Sequence, residues 1–254
     1  MKTIHLLLGL MIILYSCSDK AGIDQKNCAE LKAQGVIDSF PYPIRPGSPE
    51  WANLINQDEK YEVVNVPEDI LQNMCTHGLV YTCVYCPLFN LLTVYNNIRS
   101  GFTSLSDHIN SFAELTKRTD AGKELFDYYQ TLFDNDWENI KQTEYQVQIT
   151  LTEIFFAQQE YLNKLNNQEL QEVLVEAYNI LMEKKTHDLN KECIQGSLYL
   201  ISNILYHNLH YEPLIDFIDR NNMIYFLNDL MLFDNQSPDS LKYYTELYIQ
   251  EFIK

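Results

Sequence analysis

From Ser48 onward the extended apolar patterns of this chain repeat at three or four residues, and no segment alternates convincingly at two. That period describes helices buried on one face and leaves no material for a sheet. The clearest run is Leu170, Val173, Leu174, Ala177, Tyr178, Leu181 and Met182, with Glu169, Glu172, Glu176 and Glu183 largely on the other side. Leu105, Ile109, Phe112 and Thr116 share one face of an expected helix. Leu125, Phe126, Tyr129, Leu132 and Phe133 form the stripe of the next, capped at Thr119 or Asp120. Leu151, Ile154, Phe155, Leu162 and Leu165 make another stripe. Leu241, Tyr244, Tyr248 and Phe252 are expected to face inward from a last helix that starts at Ser237-Pro238-Asp239. From about Leu189 to Leu209 apolar residues occupy more than one face, as in a helix packed between neighbours. Gly196-Ser197 in its middle suits a close helix crossing.

Start and stop signals divide the rest. Ser48-Pro49-Glu50 supplies an N-cap, a proline in the first turn and an acid for the helix dipole. Val66-Pro67-Glu68-Asp69 opens a short helix, and Thr76 caps another that runs to Cys86 and stops at Pro87. Asn166-Asn167 makes a turn. Pro213 and Asn221-Asn222 frame a short helix, followed by one from about Met223 to Phe233. Helix starts near 145, 190 and 238 lie roughly 45 residues apart, close to the period of HEAT and armadillo repeats. The expected fold is all-α, either an α-α superhelix of that kind or an irregular helical bundle, in one domain over residues 49–254.

The first residues read differently. Lys2 precedes an apolar run from Ile4 to Leu14, which has the layout of a secretory signal and is too short to span a bilayer comfortably. Leu14-Tyr15-Ser16-Cys17 resembles the lipobox of bacterial lipoproteins. The resemblance implies a signal peptide over 1–16, cleavage before Cys17, and acylation of the Cys17 sulfur and the new amine. Several acyl chains anchor stably where one does not. Ser18-Asp19 is similar to the start of surface-exposed lipoproteins of the Bacteroidota, which implies the outer membrane without settling its side. Residues 17–48 are expected to be a tether. Its stretch from Phe40 to Pro49 holds four of the eight prolines and is therefore extended. Phe40, Tyr42 and Ile44 suggest that this strap lies against the domain.

Charge narrows the partners. The chain carries 18 Lys and Arg against 35 Asp and Glu, a balance of −17, which becomes −18 when Lys2 leaves with the signal. Nucleic-acid recognition needs a cationic face, so it is excluded. Anionic headgroups and glycans are repelled too. The expected partners are the membrane, through lipid on Cys17, and a protein or peptide.

Few residues offer chemistry. Cys83-Val84-Tyr85-Cys86 has CxxC spacing, with Cys75 and His77 nearby, but it falls at the C-terminal end of a helix, where the dipole opposes a thiolate. Buried packing is the better account. The five cysteines besides Cys17 are odd in number and fix no connectivity. His207 and His210, followed by Glu212, have metal-ligand spacing and suit a helix C-terminus equally. Asp134-Asn135-Asp136-Trp137-Glu138 resembles the start of an EF-hand loop but has Asn139 and Tyr145 where Gly and Glu are required. Asp239-Ser240-Leu241 resembles the O-glycosylation sequon of Bacteroidota secreted proteins. No catalytic or cofactor-binding motif of the nucleophile-elbow, zincin, P-loop or dinucleotide type is present, and no cofactor is expected.

Between Tyr42 and Lys123 the chain resembles a group of Bacteroidota lipoproteins of unassigned function. The residues that carry it are Tyr42 to Trp51, Val66 to Leu71, Thr76 to Pro87, Asn96-Asn97 with Gly101-Phe102, and Lys117 to Leu125. The resemblance implies a compartment and no activity. The functional expectation is a lipid-anchored, non-catalytic protein- or peptide-binding or scaffold module. The alternatives are an envelope hydrolase without a readable motif, or a glycan-capture lipoprotein by analogy with the helical starch-binding lipoproteins of the same bacteria.

Overall fold

A computed structural model describes residues 25–133, 143–229 and 237–253. The lipobox with Cys17 and the EF-hand-like stretch 134–139 lie outside the described residues. The fold is all-α, with no strand among the described residues. Its helices are α1 (Gln25–Ala33), α2 (Pro49–Ala52), α3 (Gln57–Val64), α4 (Glu68–Asn73), α5 (Thr76–Val84), α6 (Ile98–His108), α7 (Asn110–Leu115), α8 (Ala121–Thr131), α9 (Thr143–Phe156), α10 (Gln159–Leu162), α11 (Asn167–Thr186), α12 (Lys191–Asn203), α13 (Glu212–Arg220), α14 (Ile224–Asp229) and α15 (Ser237–Phe252). A 3₁₀ turn (Phe89–Thr93) and a π-turn (Ile204–Asn208) complete the path.

Helix α12 is the axis of the second half. It packs against α9, α11, α14 and α15. A solenoid repeat meets only its neighbours in sequence. Here α14 also reaches back to α6, so the packing is that of an irregular bundle. Gly196 permits the crossing of α12 on α9, because a Cβ there would lie 2.4 Å from Glu153 Oε2 and 3.3 Å from Thr150 Cα.

Several local signals act as expected. Ser48 Oγ accepts from the Trp51 N–H at 3.1 Å, with Pro49 in the first turn of α2. Asn166 and Glu169 form a complete capping box on α11. Pro213 lies in the first turn of α13 and Asn221 closes it. Helix α3 has only Tyr61 and Val64 buried, too short a stripe for periodicity to mark.

Three expectations need correction. The helix expected through Leu105 and Thr116 is broken at Ile109, which is extended (φ −122°, ψ 115°). The cause is Asn110, whose side chain pairs with both the N–H and the carbonyl of Val66 at 2.9 and 2.7 Å. Thr76 and Asp120 do not cap their own helices. They bond each other, Thr76 Oγ1 donating to Asp120 Oδ1 at 2.9 Å. Phe252 does not face inward: it is 56% exposed and stacks on Tyr248 at 4.9 Å.

The strap that runs into α2 is integral to the core. Tyr42 is 1% exposed and donates to the Thr82 carbonyl at 2.9 Å, and the Phe40 N–H bonds Thr82 Oγ1 at the same distance. Asp38 Oδ2 accepts from the Cys75 N–H at 2.8 Å, so the strap satisfies one of the unpaired N–H groups at the start of α5. Gly78 makes this docking possible, since a Cβ would stand 2.0 Å from Asp38 Oδ1 and 3.0 Å from the Asp38 carbonyl carbon. Gly78→Ala is expected to cost about 1–3 kcal/mol, as overpacking does elsewhere. Urea unfolding reads that loss as a lower midpoint.

Candidate functional site

A disulfide between Cys28 on α1 and Cys75 at the start of α5 pins the strap over the bundle. The even pairing hidden in an odd count of cysteines is therefore one bridge and three free thiols, Cys83, Cys86 and Cys193, all buried.

Between the strap and helices α5 and α8 the chain leaves a cleft of about 250 Å³. Val36, Ile37, Tyr81 and Tyr128 give it an apolar wall, with Ile37 44% exposed. At its rim Lys32 bridges Glu124 at 2.5 Å and Asp127 at 2.6 Å, residues one turn apart on α8. Burial opposes the Lys32 charge, but the hydrogen bonds it donates to Asp127 and Glu124 outweigh that and raise the amine above its ordinary range. His77 closes the inner end, its Nε2 3.0 Å from the Val36 carbonyl and 3.6 Å from Asp38 Oδ1. The Tyr128 hydroxyl is buried and makes no hydrogen bond of normal geometry, although Tyr85 and Gln148 lie near it. Burial raises that hydroxyl far above the phenol range, so it stays a neutral donor. The volume lies below the ~300–1,000 Å³ common for small-molecule sites, which suits one or two side chains rather than a cofactor.

The most convergent polar cluster is elsewhere and sealed. Lys184 on α11 and Glu153 on α9 are both 0% exposed. Lys184 Nζ reaches both Glu153 oxygens at 2.7 Å, Ser197 Oγ at 2.9 Å and the Cys193 carbonyl at 3.0 Å. Tyr129 and Ser197 donate to Glu153 Oε1 at 2.8 and 2.7 Å. A Ser-Lys pair catalyses acyl transfer only when the amine is a free base beside a substrate. Here the amine is spent on a carboxylate and no lining of a described cavity includes it. The cluster joins four helices, α8, α9, α11 and α12. Periodicity does not reveal it, because Lys184 and Glu153 read as solvent-facing charges.

The CxxC pair faces the core. Burial pushes the Cys83 thiol well above its ordinary value and the Cys86 thiol up to about 11, the reverse of an activated CxxC. Cys86 gives a pH prediction. Above pH 9 the unfolded chain releases the Cys86 proton while the folded chain keeps it, so stability falls as pH rises from 9 to about 11. Two units amount to roughly 3 kcal/mol. Cys86→Ala should remove that part of the alkaline slope in urea titrations.

His207 is held below its ordinary range by burial and by neighbouring His210. Among the described residues no third ligand of His, Cys, Asp or Glu type joins this pair. His210 instead lines a shallow groove of about 490 Å³ with Gln171, Tyr211, Tyr248, Glu251 and Phe252. Asp239-Ser240-Leu241 lies at the start of α15, across its first turn, with Leu241 1% exposed. No described helix is long and apolar enough to cross a membrane. Compared with known proteins, the chain matches no family model, no curated protein and no solved structure.

Proposed function

We propose that the chain is an envelope lipoprotein, held at the outer membrane by lipid on Cys17, whose helical domain binds a short peptide segment of a partner protein in the cleft beneath the strap. The observation that carries this reading is the cleft's pairing of an apolar, tyrosine-lined wall with an acidic clamp that already holds a cation of the chain's own, Lys32. The segment that fits carries an apolar or aromatic side chain beside a Lys or Arg, which would share or replace the place of Lys32. The −17 balance of the chain favours such a basic partner. No catalytic step is assigned: among the described residues, the cluster of Glu153, Lys184 and Ser197 is closed to solvent.

Selection of displayed random peptides on the mature protein tests the binding half. Aromatic-basic sequences should be enriched on the wild type and lost on Ile37→Glu; enrichment indifferent to Ile37→Glu would refute the site. Palmitate labelling of the expressed full chain tests the anchor: label on the wild type and none on Cys17→Ala is expected, and equal labelling would contradict it. One observation favours a second reading, glycan capture. The Tyr211, Tyr248 and Phe252 rings sit beside Gln171 and His210 in the second groove. Calorimetric titration against a glycan panel, with Phe252→Ala as control, decides it.

A further inference from the structure

We propose that the fastening of the strap is a two-state clasp: a disulfide when oxidised, and a site for a thiophilic divalent cation such as Zn²⁺ when reduced. Asp38, Cys75 and His77 place a carboxylate oxygen, a sulfur and an imidazole nitrogen within 4.8 Å of one another. Cys28 Sγ, bonded to Cys75 Sγ, brings a fourth donor to the same point. Two thiolates, an imidazole and a carboxylate form a tetrahedral zinc set in ligand type and number. A cystine sulfur is a poor metal ligand, so the disulfide masks half of the set.

Two details point to an ion here. Asp38 Oδ1 is buried with no hydrogen-bond partner, 3.6 Å from His77 Nε2. The His77 side chain is only 9% exposed, and its Nε2, hydrogen-bonded to the Val36 backbone carbonyl, is turned toward that same carboxylate. The four groups come from three segments, namely α1, the strap and the start of α5. An ion bound by them therefore performs the same mechanical task as the disulfide. Cys28 is partly exposed, which admits a reductant.

The step balances with a dithiol reductant. Two thiols of the reductant give up two electrons and two protons, their sulfurs join, the Cys28–Cys75 bond breaks, and each cysteine takes one proton. The cation then displaces those two protons and bonds both thiolates. His77 gives up to solvent the Nε2 proton that it donates to the Val36 carbonyl, takes one up at Nδ1, and bonds the ion through the freed Nε2 lone pair.

Cobalt, a spectroscopic substitute for zinc, provides the test on the mature chain. The protein is reduced with a phosphine, freed of it, and titrated with Co²⁺, then with Zn²⁺ in competition. One equivalent should bind with thiolate-to-cobalt absorption, and the oxidised protein of identical sequence should give none. His77→Gln and Asp38→Asn should each weaken binding by about tenfold or more. Cys83→Ala/Cys86→Ala should leave the spectrum unchanged. Helical circular dichroism of each reduced variant shows that it remains folded. Absence of the thiolate band in the reduced wild type overturns the proposal. So does a band that survives His77→Gln but disappears in Cys83→Ala/Cys86→Ala, because the ion would then sit on the core thiols.

Discussion

Lys184→Met is expected to destabilise the protein by about 3–5 kcal/mol, the cost of stranding a buried charge without its partner. Glu153 would keep its place between α9 and α12 with only the Tyr129 and Ser197 hydroxyls to satisfy it. A loss of that size is a large share of the ~5–15 kcal/mol that holds a domain together. Glu153→Leu leaves the lysine stranded and should cost as much. The double change Glu153→Leu/Lys184→Met should recover a good part, because neither charge remains to be solvated by the core. Full recovery is not expected. Ser197, Tyr129 and the Cys193 carbonyl would lose partners, at about 1–3 kcal/mol for each group left unsatisfied. Denaturant midpoints of the three variants decide the matter. Additive losses in the double variant would mean that the pair is not coupled as its 2.7 Å contacts require.

The second large effect concerns the strap. Replacing Cys28 and Cys75 by serine releases a bridge between residues 47 apart in sequence. Loop-closure entropy puts the loss near 4 kcal/mol, within the usual range of about 2–4. The consequence reaches the cleft as well as the midpoint. Without the bridge, α1 is held by Lys32 to Glu124 and Asp127, contacts that are partly exposed and individually weak. The strap beyond it keeps Asp38 on the Cys75 N–H and Tyr42 in the core. Amide exchange in the serine variant should therefore rise sharply over 28–37 and little at Tyr42. A loss of protection at 28–37 no larger than the loss that the lower global stability imposes through α5 would show instead that the bridge acts on the whole domain and not on the strap in particular.

The sequence made some of this legible and hid the rest for physical reasons. Stripes such as Leu170 to Met182 identify helices because burial on one face imposes their period, and α11 follows. The glycine in α12 signalled a close crossing, and Gly196 does meet α9. Boundaries failed where a side chain had a distant alternative. Thr76 and Asp120 look like caps, but each is the other's partner 44 residues away. Asn110 breaks a continuous apolar stripe by pairing with Val66. Nothing local announces such contacts. The Cys28–Cys75 bridge is equally silent, because an odd set of cysteines allows many pairings. The Glu153–Lys184 pair was masked by its own chemistry, since charged residues at helical spacing read as solvated faces. The cleft is assembled from α1, the strap, α5 and α8, so no motif could encode it. Val36 and Ile37 precede the proline-rich stretch that marked the strap, and Tyr81 and Tyr128 belong to none of the stripes read from the sequence.

Hydrogen–deuterium exchange of the mature protein, alone and saturated with an aromatic-basic peptide from the display selection, tests the central claim most directly. Added protection is expected at 32–37, 77–81 and 124–131, the segments that line the cleft, together with its loss in Ile37→Glu. Protection centred on 208–213 and 248–252 would place binding in the second groove, and unchanged exchange at the cleft would contradict the account.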